Sequence, residues 1–331
     1  MNLSYPLVLA VAFGAAAPVF AAEREIPTTI SPQAAESLRA YPPSTPLEGD
    51  IREIFERIEQ AEGPSNAQAL KDMPAALEDV EIAGRTHLLI TPETRDPARN
   101  GKLIIHVHGG SHTFATPRTT LVGSLRVAKA TGTQVLSVHY PLAWEAPFPA
   151  SRDHVMAVYA HVLQEYAPQD VILTGESAGG GLILTTLQAL LAAGQPMPAA
   201  AALLSPWVDI SDNGDSNITL RDQDPIVHYD NLLAPSANLY AGDLPLTDPG
   251  PSPIYGTFTA DLPPMFITTG TRDLFLSGAA RLQRALLDAD VPVDLIVYEG
   301  MWHVFQVEDL PETDAAWRDY ARFVAEVWTP N

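Results

Sequence analysis

The sequence predicts an α/β fold, a mainly parallel central sheet with helices on both faces. Two observations carry that expectation. From Glu81 onward, short apolar runs alternate with helical stretches at the pitch of repeated strand–helix units. One of those runs, "DVILTG", leads straight into "ESAGGG", where Gly175, Ser177 and Gly179 fit Gly-x-Ser-x-Gly, the pattern of a sharp strand-to-helix turn. With 331 residues, 46% of them hydrophobic and 18% charged, the chain can bury the core of one such domain with insertions.

Taken in order, the apolar runs at 86–91, 102–108, 133–140, 170–175, 200–206, 263–270 and 293–300 read as strands. The stretches at 121–132, 151–167, 181–194, 276–290 and 313–328 read as helices. A sheet of this kind gathers its ligands at the carboxyl ends of its strands. The irregular segment 207–262 interrupts the alternation and is too long for a plain connection, so it is expected to form a cap together with the N-terminal region. In that region, 23–80, a proline-rich stretch precedes Ile51, Ile54, Phe55 and Ile58 at helical spacing, with Asp50 as N-cap. Residues 81–331 are then the catalytic domain. Residues 1–22 carry no charge, contain an apolar run and end in small residues, the pattern of a signal peptide cut after Ala21 or Ala22. Export to the periplasm or the exterior is expected. The absence of cysteine permits an oxidising compartment without demanding one.

A formal charge of −21 speaks against nucleic acid and anionic membranes as partners. After loss of the signal, no stable membrane insertion is expected. No histidine–carboxylate group has metal-ligand spacing, and neither a phosphate-binding loop nor a dinucleotide fingerprint is present. No cofactor or metal is therefore expected, and a small molecule is the natural partner; the oligomeric state is left open.

A serine hydroxyl attacks only when a base takes its proton and a third group orients that base. After a turn of this type the acid and then the histidine follow in chain order. Asp273 ("GTRDLF") and His303 ("YEGMWHVFQ") each lie just past a strand, at the edge where Ser177 lies. Acyl transfer also needs N–H donors for the developing oxyanion. The segment "HVHGGS" offers Gly109, Gly110 and Ser111, and Ala178 follows the serine. Blander readings stand beside these: Asp273 as an N-cap near Leu276, with Glu308 and Asp309 as rival acids; the glycines as a tight turn; His108 and Asp209 as structural hydrogen-bonding groups.

The segments "HGGS", "YPLAWEAPFPA", "GESAGG", "SPWVD", "GTRD" and "GMWH", in this order, resemble the hormone-sensitive-lipase-like branch of the α/β-hydrolase esterases. The likeness runs from near Ile51 to the C-terminus. It implies a capped serine carboxylesterase acting on small to medium acyl esters or lactones through an acyl-enzyme. Ser177 is then the nucleophile, His303 the base and acid, and Asp273 the orienting carboxylate. It also implies oxyanion donors from Gly109, Gly110, Ser111 and Ala178. Phe114, Trp144, Trp207 and Trp302 lie near these motifs and are the candidates for lining the pocket. The chain departs from the pattern at Ser111, where the third glycine is missing, and at Glu176, where aspartate is frequent. It departs again at His139, Pro141, Trp144 and Ala146 in the segment that commonly reads "DYRLAPEHPFPA". An amidase or deacetylase with the same triad, or a binding protein that has lost catalysis, are the alternative readings.

Overall fold

A computed structural model describes residues 25–41, 53, 55–56 and 63–329. The expected signal peptide and its cleavage site, the stretch 42–50, and Ile51, Ile54 and Ile58 lie outside the described residues. Helical backbone is present at 53, 55 and 56.

Eight strands form one sheet: β1 (Ala75–Ile82), β2 (Arg85–Pro92), β3 (Leu103–Val107), β4 (Gln134–Val138), β5 (Val171–Glu176), β6 (Ala200–Leu204), β7 (Met265–Gly270) and β8 (Val293–Tyr298). Their order is β1-β2-β4-β3-β5-β6-β7-β8, parallel from β4 through β8 and antiparallel at β1 and β2. The strand carrying the nucleophile, β5, lies inside the sheet with β3 on one side and β6 on the other.

The helices are α1 (Pro32–Ala40), α2 (Gly63–Asp72), α3 (Leu121–Thr131), α4 (Ala150–Val162), α5 (Ala178–Ala192), α6 (Asp215–Thr219), α7 (Ala234–Ala241), α8 (Leu276–Asp288) and α9 (Pro311–Trp328). Successive strand residues point to opposite faces, and the core divides accordingly. Ile104, Ile172, Ala202 and Phe266 pack with α3 and α9, whereas Ile105, Leu173, Leu203 and Ile267 pack with α4, α5 and α8. Leu173 is completely buried, and cutting such a side chain to alanine costs about 2–5 kcal/mol.

Two elements differ from expectation. β1 was not anticipated, because "ALEDVEI" mixes acids among its apolar residues and lies at the sheet edge, largely wet. It pairs with β2 along its whole length through a turn at Ala83 and Gly84, both at positive φ, so the sheet begins inside the segment assigned to the N-terminal arm. α4 stops at Val162, five residues short of the expected end, where the chain must turn before Pro168 and enter β5.

The insertion after β6 holds α6, a π-helical turn at Tyr229–Leu233, and α7. Its Ile210, Val227, Leu233, Ala237 and Tyr240 cluster with Phe114, Ala178 and Phe275, forming a cap over the carboxyl edge of the sheet. From the other end of the sequence, α1 packs Ala34 and Leu38, and the following Tyr41, onto Met301, Trp302 and Phe305. Among the described residues no helix is long and apolar enough to cross a membrane.

Candidate active site

Ser177 stands between β5 and α5 with φ +55° and ψ −125°. For a residue with a side chain this backbone is strained, by a cost on the order of 1–3 kcal/mol. The turn closes because its neighbours are small: a Cβ at Gly179 would run into the Val107 carbonyl. The Ser177 N–H donates to the Leu204 carbonyl at 2.9 Å, so β6 fixes the turn from the side.

His303 Nε2 lies 2.9 Å from Ser177 Oγ, and its Nδ1 lies 3.1 Å from Asp273 Oδ1. With the proton on Nδ1, the ring donates to Asp273 and accepts from the serine. Asp273 also accepts from Thr269 Oγ1 at 2.9 Å and from the Phe275 N–H at 3.0 Å. All three residues are buried. Phe275 meets the imidazole edge to face, its centroid 4.8 Å away. The histidine loop passes so close over β7 that a Cβ at Gly270 would meet the Met301 carbonyl.

Burial alone would push the Asp273 carboxyl up, but His303, the Phe275 N–H and Ser205 together hold it below its ordinary range. Burial would push His303 down, yet Asp273, with Asp224 and Glu176 behind it, raises it. The acid is therefore kept ionised and the base is made a better proton acceptor. Asp273 also accepts the Phe275 N–H in the manner of a turn aspartate, but the N-cap position of α8 is Phe275 itself, so the blander reading of Asp273 as the cap of that helix does not hold. Its rivals are engaged elsewhere: Glu308 binds Ser37, Tyr41 and Trp302, and Asp309 pairs with Arg126.

The glycine loop corrects one expectation. The Gly109 N–H donates to Glu176 Oε1 at 3.0 Å, so it is spent and cannot serve an oxyanion. The N–H groups of Gly110, Ser111 and Ala178 have no protein partner among the described residues. Gly110 has φ +97° and Ser111 φ +54°, so the serine does stand where glycine is favoured. Glu176, which sequence reasoning left without a role, anchors this loop. Its other oxygen lies 2.7 Å from His106 Nε2, whose Nδ1 meets Ser124 Oγ at 2.9 Å. Burial opposes the charge of Glu176, but His106 and the Gly109 N–H outweigh it and hold the carboxyl low. His108 is structural, as expected: its Nδ1 meets the Gly109 carbonyl at 2.8 Å, and its ring stacks on Tyr140.

Of the four aromatic candidates, Phe114 and Trp207 lie in the cluster around Ala178, where Trp207 stacks on Phe275. Trp144 donates to the Thr113 carbonyl and meets Phe55 of the N-terminal region. Trp302 belongs to a different cluster. Its buried indole N–H needs an acceptor and finds Glu308 at 2.9 Å, and its ring packs under the N-terminal arm against Tyr41. It therefore sits outside the aromatic cluster at the nucleophile. Asp209 is the local acceptor expected, taking bonds from Ser211, Tyr255 and Arg281.

A family model described as alpha/beta hydrolase fold matches residues 104–307, well over half of the chain. The chain belongs to this family. An acetyl-hydrolase of Streptomyces hygroscopicus is 36% identical over 217 residues, which cover 65% of this chain and 72% of that protein. The crystal structure of an esterase named E25 superposes with a TM-score of 0.84 at 30% identity, covering 95% of this chain and 98% of that one. That of an esterase from the bacterial hormone-sensitive lipase family gives 0.78 at 29%, covering 90% and 99%. The chain is thus homologous to esterases of the hormone-sensitive-lipase type over most of its length, and the resemblance read from its motifs holds.

Proposed function

We propose that the protein is a serine carboxylesterase that hydrolyses small to medium acyl esters through a covalent acyl-enzyme. The observation that carries this reading is the unbroken chain of hydrogen bonds from Ser177 through His303 to Asp273 in a buried site. Ser177 Oγ attacks the ester carbonyl carbon while His303 Nε2 takes its proton. The N–H groups of Gly110, Ser111 and Ala178 are the donors that remain for the tetrahedral oxyanion. The alcohol leaves with the proton from His303, and water, deprotonated by the same ring, then releases the acid. Asp273 stays ionised throughout and stabilises the imidazolium.

The crowding of Phe114, Trp207 and Phe275 around Ala178 favours short acyl chains, and the acetyl-hydrolase relative points the same way. A panel of p-nitrophenyl esters from acetyl to decanoyl, with a lactone and an anilide, tests the reading on the wild type and Ser177→Ala. Acetyl to butyryl esters are expected to turn over fastest, and the variant to lose about 10³- to 10⁶-fold in kcat. Equal rates for both proteins would overturn the mechanism; an anilide faster than every ester would make it an amidase.

Export is part of the same proposal and rests on the N-terminal residues alone. The secreted or periplasmic fraction should yield a mature chain beginning at Ala22 or Glu23. An intact Met1 in the cytosolic fraction would contradict it.

A further inference from the structure

The insertion brings a buried carboxylate to the site that the catalytic steps leave unused. Asp224 follows α6 and is fully shielded from solvent. One of its oxygens accepts the N–H groups of Ile226 and Val227 at 2.9 and 3.2 Å. The other accepts the N–H of Leu274, the residue after the catalytic acid, at 3.1 Å. Ligand-type atoms of Asp224, Asp273 and His303 all lie within 4.8 Å of one another.

Around this contact the insertion clasps the loop 272–277. Ser216 Oγ donates to the Leu274 carbonyl at 2.6 Å and accepts the Ser277 N–H at 3.0 Å, while the Ser216 N–H returns a bond to Ser277 Oγ at 2.9 Å. Arg272 Nη1 donates to Gln223 Oε1 at 3.0 Å. The clasp explains the neutral bonds but leaves the charge unexplained. Three backbone N–H groups can be satisfied without an ion, and a second buried carboxylate beside Asp273 is repelled by it. Among the described residues, the cation that acts on Asp224 is the His303 imidazolium, which is the group that must be stabilised while the serine attacks.

Resting on the serine-hydrolase reading, we propose that Asp224 is a positioning residue for the catalytic histidine. Its carboxylate pins the Asp273 loop through Leu274 and sets a second negative charge beside His303 as the imidazolium forms, so that the docked insertion completes the acid–base machinery. The titratable groups facing His303 are Asp273, Asp224 and Glu176; those facing Asp224 are His303, Asp273 and, from the arm, the neutral phenol of Tyr41. Burial raises the Asp224 carboxyl; His303 lowers it and Asp273 raises it, leaving it at about 6. It is therefore largely ionised at neutral pH and is neutralised in acid, where it stops helping His303.

The test is the pH profile of kcat and KM on p-nitrophenyl butyrate for the wild type, Asp224→Asn, Asp224→Ser and Ser216→Ala, with Ser177→Ala as the blank. Removing the charge should lower kcat roughly 10- to 100-fold with KM little changed. It should also move the acid limb to lower pH, because His303 loses a charge that favours its protonated form. Ser216→Ala loosens the same clasp without removing a charge, and its acid limb should stay in place. An unmoved acid limb in whichever Asp224 variant folds would overturn the proposal, as would unchanged kcat. Failure of both variants to fold would assign Asp224 to structure alone and overturn it as well. No hydrolysis by the wild type above the Ser177→Ala blank would instead sink the esterase reading itself.

Discussion

The two halves of the site are held in different ways. The nucleophile half, comprising the glycine loop, Glu176 and Ser177, is built on the ends of β3 and β5 and braced by Glu176 and His106 of the sheet and by Ser124 of α3. The acid–base half lies on the loops after β7 and β8, and segments distant in sequence hold it. Asp224 and Ser216 of the insertion fasten the Asp273 loop. Tyr41 and Ser37 of the arm reach Glu308, which also takes the Trp302 indole N–H next to the catalytic histidine. The glycine loop and nucleophile can therefore form with the sheet, whereas the base is fully placed only when the cap and arm have docked.

This difference gives three ways to break one half while sparing the other. The largest effect on activity is expected from Glu176→Ala. It removes the acceptor of the Gly109 N–H and the partner of His106, and should lower kcat about 100-fold by loosening the glycine loop, with the acid limb of the pH profile moved to lower pH by less than in Asp224→Asn, because Glu176 is the smallest of the charges that raise His303. Steady-state kinetics across pH checks both points. A smaller effect, on stability, should follow from Tyr41→Phe, which takes one donor from a buried carboxylate at a cost of about 1–3 kcal/mol. Urea unfolding should show the loss while kcat is retained; a collapse of kcat would mean that the arm does more than support the fold.

The third way is acid. Burial lowers His108 and His154 to about 4 and His112 to about 3. Unfolded histidines titrate near ~6.5, so between these values the unfolded chain binds more protons and stability falls as the pH falls. The thermal midpoint should therefore drop progressively from about pH 6.5 toward pH 4. Activity should decline at a higher pH than stability, because His303 is raised and must be neutral to accept the serine proton. Coincident decline of the two would show that unfolding, rather than protonation of His303, sets the acid limb.

The same contrast explains what could be read from the residues. Ser177 and the glycines announce themselves because a strained turn and close backbone approach demand small residues at fixed local spacing. Asp273 and His303 follow from chain order and strand ends. Glu176 resisted because its partner His106 is 70 positions away, and nothing in "GES" shows which way the carboxylate points. Asp224 resisted more completely: "RDQDPIV" reads as a polar loop, and its contact with Leu274 spans 50 positions. The cluster that Trp302 joins could not be read from its proximity to His303 in sequence, which says nothing of the face its ring takes; a buried acceptor in Glu308 decided that. The edge strand β1 was missed because, wet for much of its length, it needs few apolar residues.

The central claim is that the two halves meet at Ser177 and activate its hydroxyl, and covalent labelling reads this most directly. Wild type and His303→Ala are treated with a p-nitrophenyl alkylphosphonate and digested, and the labelled peptide is located by mass spectrometry. The wild type should carry one phosphonyl group on Ser177 and lose esterase activity in step, while His303→Ala should label far more slowly. Labelling of another residue, or equal rates in both proteins, would contradict the account.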